Sequence, residues 1–209
     1  GTWSGTLLWD AAIRTAELLL GSASWRARVR GAVCVELGCG LGLPGYVCHH
    51  LGAASVTLTD RPAIVELVSR GLALNHVPAS GDGRMNADTF EWDAPGAAAL
   101  LERLGGHPDV ILAVDCIFAP LFGDAYVLLE ALRHLAGPTT ATLLAVERRD
   151  GDGIDRFFEC AAEVGFVYED VTVEAVDFAP SSSVRLVELV LATPEQAARP
   201  PSPPAARAT

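Results

Sequence analysis

The chain has 209 residues, 50% hydrophobic and 20% charged, which is the composition of one globular domain with a sizeable core. Its formal net charge of −11 argues against a nucleic-acid-binding surface, which carries a basic face. No run reaches the ~18 apolar residues needed to cross a bilayer, and no signal peptide is visible, so no membrane partner is expected. Five cysteines (Cys34, Cys39, Cys48, Cys116 and Cys160) are odd in number and scattered through apolar stretches, and they read as reduced core thiols of an intracellular protein. No pair has metal-ligand spacing, and His49-His50 lacks a partner motif, so no metal is expected.

In chain order, Trp9, Ala12, Ile13, Ala16, Leu19 and Leu20 fall at helical spacing and predict a helix over 8–20, ended by Gly21 and Ser22. Residues 25–31 read as a basic connector. A first strand covers 32–37 and a helix about 44–51. A second strand, 55–59, leads to a helix with Pro62 in its first turn that runs to about Asn75. Residues 78–83 are a loop, 84–90 a third strand, 91–96 a turn, and 97–104 a short helix ended by Gly105-Gly106. A fourth strand covers 110–114, a helix 121–135, a fifth strand 140–146 and a helix 153–164. Residues 166–176 and 184–191 read as two strands with no helix between them, hence an antiparallel hairpin. Alternating strands and helices imply a mostly parallel sheet covered on both faces. Residues 1–192 form one domain, and the Pro- and Ala-rich stretch 193–209 reads as a disordered tail.

The centre of this pattern is Val33-Cys34-Val35-Glu36-Leu37-Gly38-Cys39-Gly40-Leu41-Gly42-Leu43-Pro44-Gly45: buried strand, glycine-rich turn, helix start. Glycine tolerates positive φ and lets a ligand approach the backbone closely. Asp60 ends the second strand, where a carboxylate holds a ribose diol in nucleotide-binding βαβ units. Gly40-x-Gly42-x-x-Gly45 matches the dinucleotide fingerprint formally. Glu36 at the strand end and Gly38-x-Gly40-x-Gly42 within the turn point instead to S-adenosylmethionine. A sulfonium ligand has no pyrophosphate and gains more from nearby acids than from a helix N-terminus. In open α/β sheets ligands lie at the carboxyl ends of the strands. Gly38 to Gly42, Asp60, Trp92, Asp115 and Glu147 all follow strands there.

Leu8-Trp9-Asp10-Ala11-Ala12, Val35 to Gly45, Leu58-Thr59-Asp60, Phe90-Glu91-Trp92 and Asp109 to Asp115 together resemble methyltransferase family 16, the seven-strand protein-lysine methyltransferases that act on chaperones, elongation factors and similar proteins. The resemblance covers roughly residues 7–192. It implies a Rossmann-like class I methyltransferase sheet of order 3-2-1-4-5-7-6 with strand 7 antiparallel, S-adenosylmethionine as cofactor and S-adenosylhomocysteine as product. By the same resemblance, Trp9 walls the cofactor pocket, Glu36 with Gly38, Cys39 and Gly40 faces the methionine moiety, and Asp60 takes the ribose. Trp92 lies beside the adenine, and Val114 and Asp115 line the methyl-transfer channel. Asp115 and Glu147 are the candidates to hold a substrate amine.

Where the family often reads Asp-x-x-Tyr, this chain reads Asp115-Cys116-Ile117-Phe118. Phe118 keeps the aromatic wall and loses the hydroxyl. Only eight residues precede Trp9, too few for the N-terminal hairpin common in the family. The expected function is lysine methylation of a protein substrate, a chaperone or translation factor, by a monomer in the cytoplasm or the nucleus. A cofactor-binding partner module without catalysis, an arginine or small-molecule acceptor, and an NAD-dependent oxidoreductase are the alternatives.

Overall fold

Valine- and leucine-rich runs too short for buried helices become the central strands of a single seven-stranded sheet. A computed structural model describes residues 3–78, 83–172 and 183–192. The strands are β1 (Val33–Leu37), β2 (Ser55–Asp60), β3 (Arg84–Thr89), β4 (Val110–Val114), β5 (Ala141–Glu147), β6 (Phe166–Asp170) and β7 (Val184–Leu191). Their order is β3-β2-β1-β4-β5-β7-β6, as the family resemblance implies. The first five are parallel, and β7 runs antiparallel to both β5 and β6.

The helices are α1 (Asp10–Gly21), α2 (Ala23–Val29), α3 (Leu43–His50), α4 (Pro62–Leu74), α5 (Ala94–Leu104), α6 (Ala119–Phe122), α7 (Tyr126–Leu135) and α8 (Ile154–Glu163), preceded by a 3-10 turn at Trp3–Thr6. Strand alternation divides the core into two layers. Cys34, Val56, Leu58, Leu112 and Leu143 face α1 to α4, and Val35, Leu37, Ile111, Ala113 and Leu144 face α5, α7 and α8. Glu36 follows Cys34 by two residues and so lies on the α3 side of the sheet.

Several local expectations need correction. Of the residues expected on the inner face of α1, Ala16 and Leu19 are buried, whereas Ile13 and Leu20 are exposed, and Ala11, Arg14, Thr15 and Leu18 complete the buried face. This helix packs on α3 and on β5 and β7, so tertiary contact chooses its face over the apolar count. Residues 25–31 are mostly not a connector. Ser22 accepts from the Trp25 N–H and caps α2, whose Trp25 and Val29 are buried while Arg26 and Arg28 stay at the surface. Residues 94–96 are not turn but the start of α5, capped by Asp93, whose Oδ1 accepts from the Gly96 N–H at 2.7 Å. The helix expected over 121–135 is broken at Gly123, which has φ +78° and separates α6 from α7. Strand β6 stops at Asp170. The rest of the expected hairpin, 173–182, and the tail from 193 lie outside the described residues.

Trp25 is 1% exposed and is the largest fully buried side chain of the α1–α4 layer. Replacing it with Ala is expected to destabilise the chain by about 3–5 kcal/mol, read from urea unfolding, because a ring-sized cavity would remain under α2. A loss within surface-mutation range would mean that α2 is peripheral.

Candidate active site

The turn between β1 and α3 is a backbone structure before it is a binding structure. Gly38, Gly40 and Gly42 have φ of +61°, +52° and +75°, the left-handed region that glycine enters without strain. Close approach adds a second requirement. A Cβ on Gly38 would lie 2.9 Å from Cys116 Sγ and 3.3 Å from the Trp92 ring. A Cβ on Gly45, in the first turn of α3, would lie 2.3 Å from Leu58 and 2.8 Å from Glu36 Oε2.

Two carboxylates pin this turn. The Gly45 N–H donates to Glu36 Oε2 at 2.8 Å, and the Gly40 N–H donates to Asp60 Oδ2 at 2.9 Å. The Arg61 N–H donates to Asp60 Oδ1 at 2.7 Å. The N-cap of α4 is Arg61, with no side-chain cap, so Asp60 fastens the strand end to the turn rather than capping the helix. Cys39 is buried, its N–H donates to Thr59 O at 2.9 Å, and burial first, with Glu36 and Asp60 nearby, pushes its thiol far up.

Around the turn lies a cleft of about 410 Å³, the size of a small-molecule site. Ser4, Gly5 and Leu7 to Trp9 form one wall, and the Trp9 indole donates to Ser4 O at 2.8 Å. Gly38 to Leu43 with Glu36 and Asp60 form the floor. Phe90 to Trp92 close the side at β3, and Val114, Asp115, Cys116 and Phe118 close the end at β4. The structure therefore brings Trp9, Glu36, Gly38, Cys39, Gly40, Asp60, Trp92, Val114, Asp115 and Phe118 to one cavity. Glu147 is not part of its lining and is joined to it through Arg149.

Arg149 is the site residue that sequence reasoning missed. Its guanidinium makes a bidentate pair with Asp115, at 2.8 and 2.7 Å, and a further pair with Glu147. It also lies 5.5 Å from the centre of the Trp9 ring and 5.2 Å from that of Phe118, within cation–π range of both. Hydrogen bonding to Asp115, the strongest of several causes, raises its pKa above the usual guanidinium range. Asp115 itself sits at φ +53°, a rare conformation for a residue with a Cβ. The signal in the sequence was its spacing: Arg149 follows Glu147 by two, which puts both on one side of an extended chain.

The cleft fits S-adenosylmethionine, the cofactor of the family that the motifs resemble. Its acids, Glu36 and Asp60, suit an ammonium and a ribose diol, whereas a pyrophosphate would lie against them. Glycine at 38 leaves room for Trp92 to stand over the turn as a flat wall for an adenine.

Glu36 is 1% exposed, and desolvation raises its carboxyl from 4.5 to about 8, with the Gly45 hydrogen bond opposing and the charge of Asp60 adding. Between those values the folded chain holds the more protons, so its stability falls as pH rises. The contribution is complete below about 4.5 and is lost as pH passes through about 8. We expect the melting temperature of the ligand-free chain to decline across that window and Glu36→Gln to flatten the decline. A slope that Glu36→Gln leaves unchanged would place the effect elsewhere.

A family model described as lysine methyltransferase matches residues 1–164. Over 125 residues the chain is 37% identical to the secreted RxLR effector protein 48 of Plasmopara viticola, covering 56% of this chain and 64% of that protein. Over 152 residues it is 31% identical to the EEF1A lysine methyltransferase 3 of Mus musculus, covering 72% of this chain and 59% of that protein. The chain thus spans less than two thirds of the length of these curated relatives. A TehB-like SAM-dependent methyltransferase from Corynebacterium glutamicum shares the fold, with a TM-score of 0.56 at 17% identity over 79% of this chain and 86% of that one. The motifs that carry the resemblance line one cleft and the family model spans most of the residues, so the chain belongs to the lysine methyltransferase family.

Proposed function

We propose that this chain is an S-adenosylmethionine-dependent methyltransferase that modifies a lysine of a protein substrate. The observation that carries the reading is the cleft itself, which unites the cofactor motifs with the end of β4 and with Arg149, two residues past β5. A chaperone or a translation factor is the substrate class we favour, and one relative is named for EEF1A. We assign the activity to a monomer in the cytoplasm or the nucleus. These 209 residues contain no lysine, so none of them is the acceptor.

When bound, S-adenosylmethionine supplies a methyl group on sulfur for in-line displacement. Asp60 would hold the ribose with the lone pairs that the Gly40 and Arg61 N–H groups leave free, Glu36 would face the ammonium, and Trp9 and Trp92 would exclude water. Alignment of this kind can contribute ~7–11 kcal/mol. A lysine amine must lose a proton before it attacks, since its free pKa is near ~10.4. Asp115 and Glu147, at the ends of adjacent strands, orient its N–H groups.

Calorimetry should show one site for S-adenosylhomocysteine and none for NADH. Asp60→Ala should weaken that site by roughly 1.5–3 kcal/mol, about ten- to hundredfold, as expected for a charge-assisted hydrogen bond. Unchanged affinity with a lower melting temperature would reduce Asp60 to a fastener of the turn.

The acceptor is read by incubating cell extract with labelled S-adenosylmethionine, with and without the chain, and identifying the modified residues by mass spectrometry. Label on protein lysine is expected. Label only on arginine or small molecules would overturn the lysine reading, and no label despite bound cofactor would favour a non-catalytic binding module.

A further inference from the structure

We propose that Arg149 is the positioning residue of the acceptor end: it holds Asp115 and Glu147 side by side against the Trp9 and Phe118 rings and leaves the pair of acids one uncompensated negative charge, enough for a single ammonium. The inference rests on the lysine reading above and deepens it, by assigning the charge and the walls that the incoming side chain meets.

The geometry favours a fixed clamp over a side chain that swings away. The Arg149 N–H donates to Asp152 Oδ2 at 3.0 Å, and Asp152 Oδ1 accepts from the Ile154 N–H at 2.8 Å. Asp152 is buried, so the backbone that carries the guanidinium is tied to the start of α8. The guanidinium itself is mostly covered and spans two adjacent strand ends. Asp115 follows β4, its N–H donating to Ala145 O of β5 at 2.8 Å, and Glu147 ends β5. Withdrawing the cation would leave the nearly buried Asp115 carboxylate, at 8% exposure, without its compensating charge. Such a loss is costly, and the left-handed backbone at Asp115 adds strain that only its surroundings can hold.

Only arginine satisfies these contacts together. Its planar fork matches a carboxylate bidentately while its faces stack on rings, and an ammonium does neither in the same way. Because Trp9 belongs to the N-terminal wall and Phe118 to the segment after β4, one group sets the width of the channel between them. Two carboxylates and one guanidinium carry a net charge of −1. An ammonium is drawn in by that charge, and because the guanidinium cancels one of the two acids, the pair holds the protonated amine less tightly than two unpaired carboxylates would.

The test compares the wild-type chain with Arg149→Met and Arg149→Lys, all saturated with cofactor. Single-turnover transfer to protein lysines in extract should fall on the order of a hundredfold in Arg149→Met, the usual scale for a misaligned acceptor, with S-adenosylhomocysteine affinity nearly intact. Arg149→Lys should recover only part of the rate. Separately, n-butylammonium is titrated into the wild-type chain with S-adenosylhomocysteine bound, following tryptophan fluorescence. Saturable one-to-one binding is expected, and it should be lost in Glu147→Gln. Transfer that holds or rises in Arg149→Met would overturn the proposal, since Arg149 would then be a plug in the acceptor site. So would a wild-type chain that shows no saturable butylammonium binding, or a rate loss matched by loss of S-adenosylhomocysteine affinity. If the wild-type chain transfers no methyl at all, the lysine reading falls, and the same titration of Arg149→Met decides the role of Arg149: weakened butylammonium binding is expected, and binding as tight as in the wild-type chain would overturn the proposal.

Discussion

The left-handed turn after β1 is the constraint on which the rest of the cleft depends. Three glycines at positive φ reverse the chain within a few residues, and the N–H groups of Gly40 and Gly45 land on the carboxylates of Asp60 and Glu36. Those two bonds join β1, β2 and α3 at a single point. Because the turn is thin, Trp92 and Cys116 can close over it from β3 and β4. A bulkier turn would push apart the walls that define the cavity. The cost is a carboxyl buried at the end of a central strand, which its one backbone donor offsets only in part.

The cleft divides its charges unevenly. At the floor, backbone N–H groups answer the acids and leave them lone pairs for a ligand. At the far end, a side-chain cation answers them. All fifteen basic residues of the chain are arginine, and this one lines the cleft, half-buried, with its charge committed to two acids. The overall acidity therefore says little about the far end of the cleft, where Asp115, Glu147 and Arg149 set the charge locally.

How legible this was in the sequence follows from range. The strand ends could be read because buried strands have a short apolar signature and because a parallel sheet sends every such end to one edge. Asp60, Trp92 and Asp115 were recognisable for that reason. Arg149 was not, because an arginine two residues past a strand is ordinarily solvated; its role comes from Asp115, thirty-four positions away in sequence. The inward face of α1 was misread at Ile13 and Leu20, though not at Ala16 and Leu19, for a related reason. Ile13 and Leu20 are apolar enough to be core, but the neighbours that would cover them are absent among the described residues, while Thr15 turns inward and donates its hydroxyl to Ala11 O at 2.7 Å. In α2 the arginines hid a short amphipathic helix, and only the Ser22 cap and the spacing of Trp25 and Val29 betrayed it.

The placement of Ser4 to Trp9 along one side of the cleft ties the beginning of the chain to its chemistry. Gly5 packs so closely on Ile64 of α4 that an added Cβ would come within 2.6 Å of it. Trp9 meets the guanidinium that joins β4 to β5. Cutting the chain just after Trp9 would leave the sheet and every other helix in sequence but remove one side of the site. A bulky group attached directly ahead of Ser4 would emerge beside the cavity and crowd its mouth.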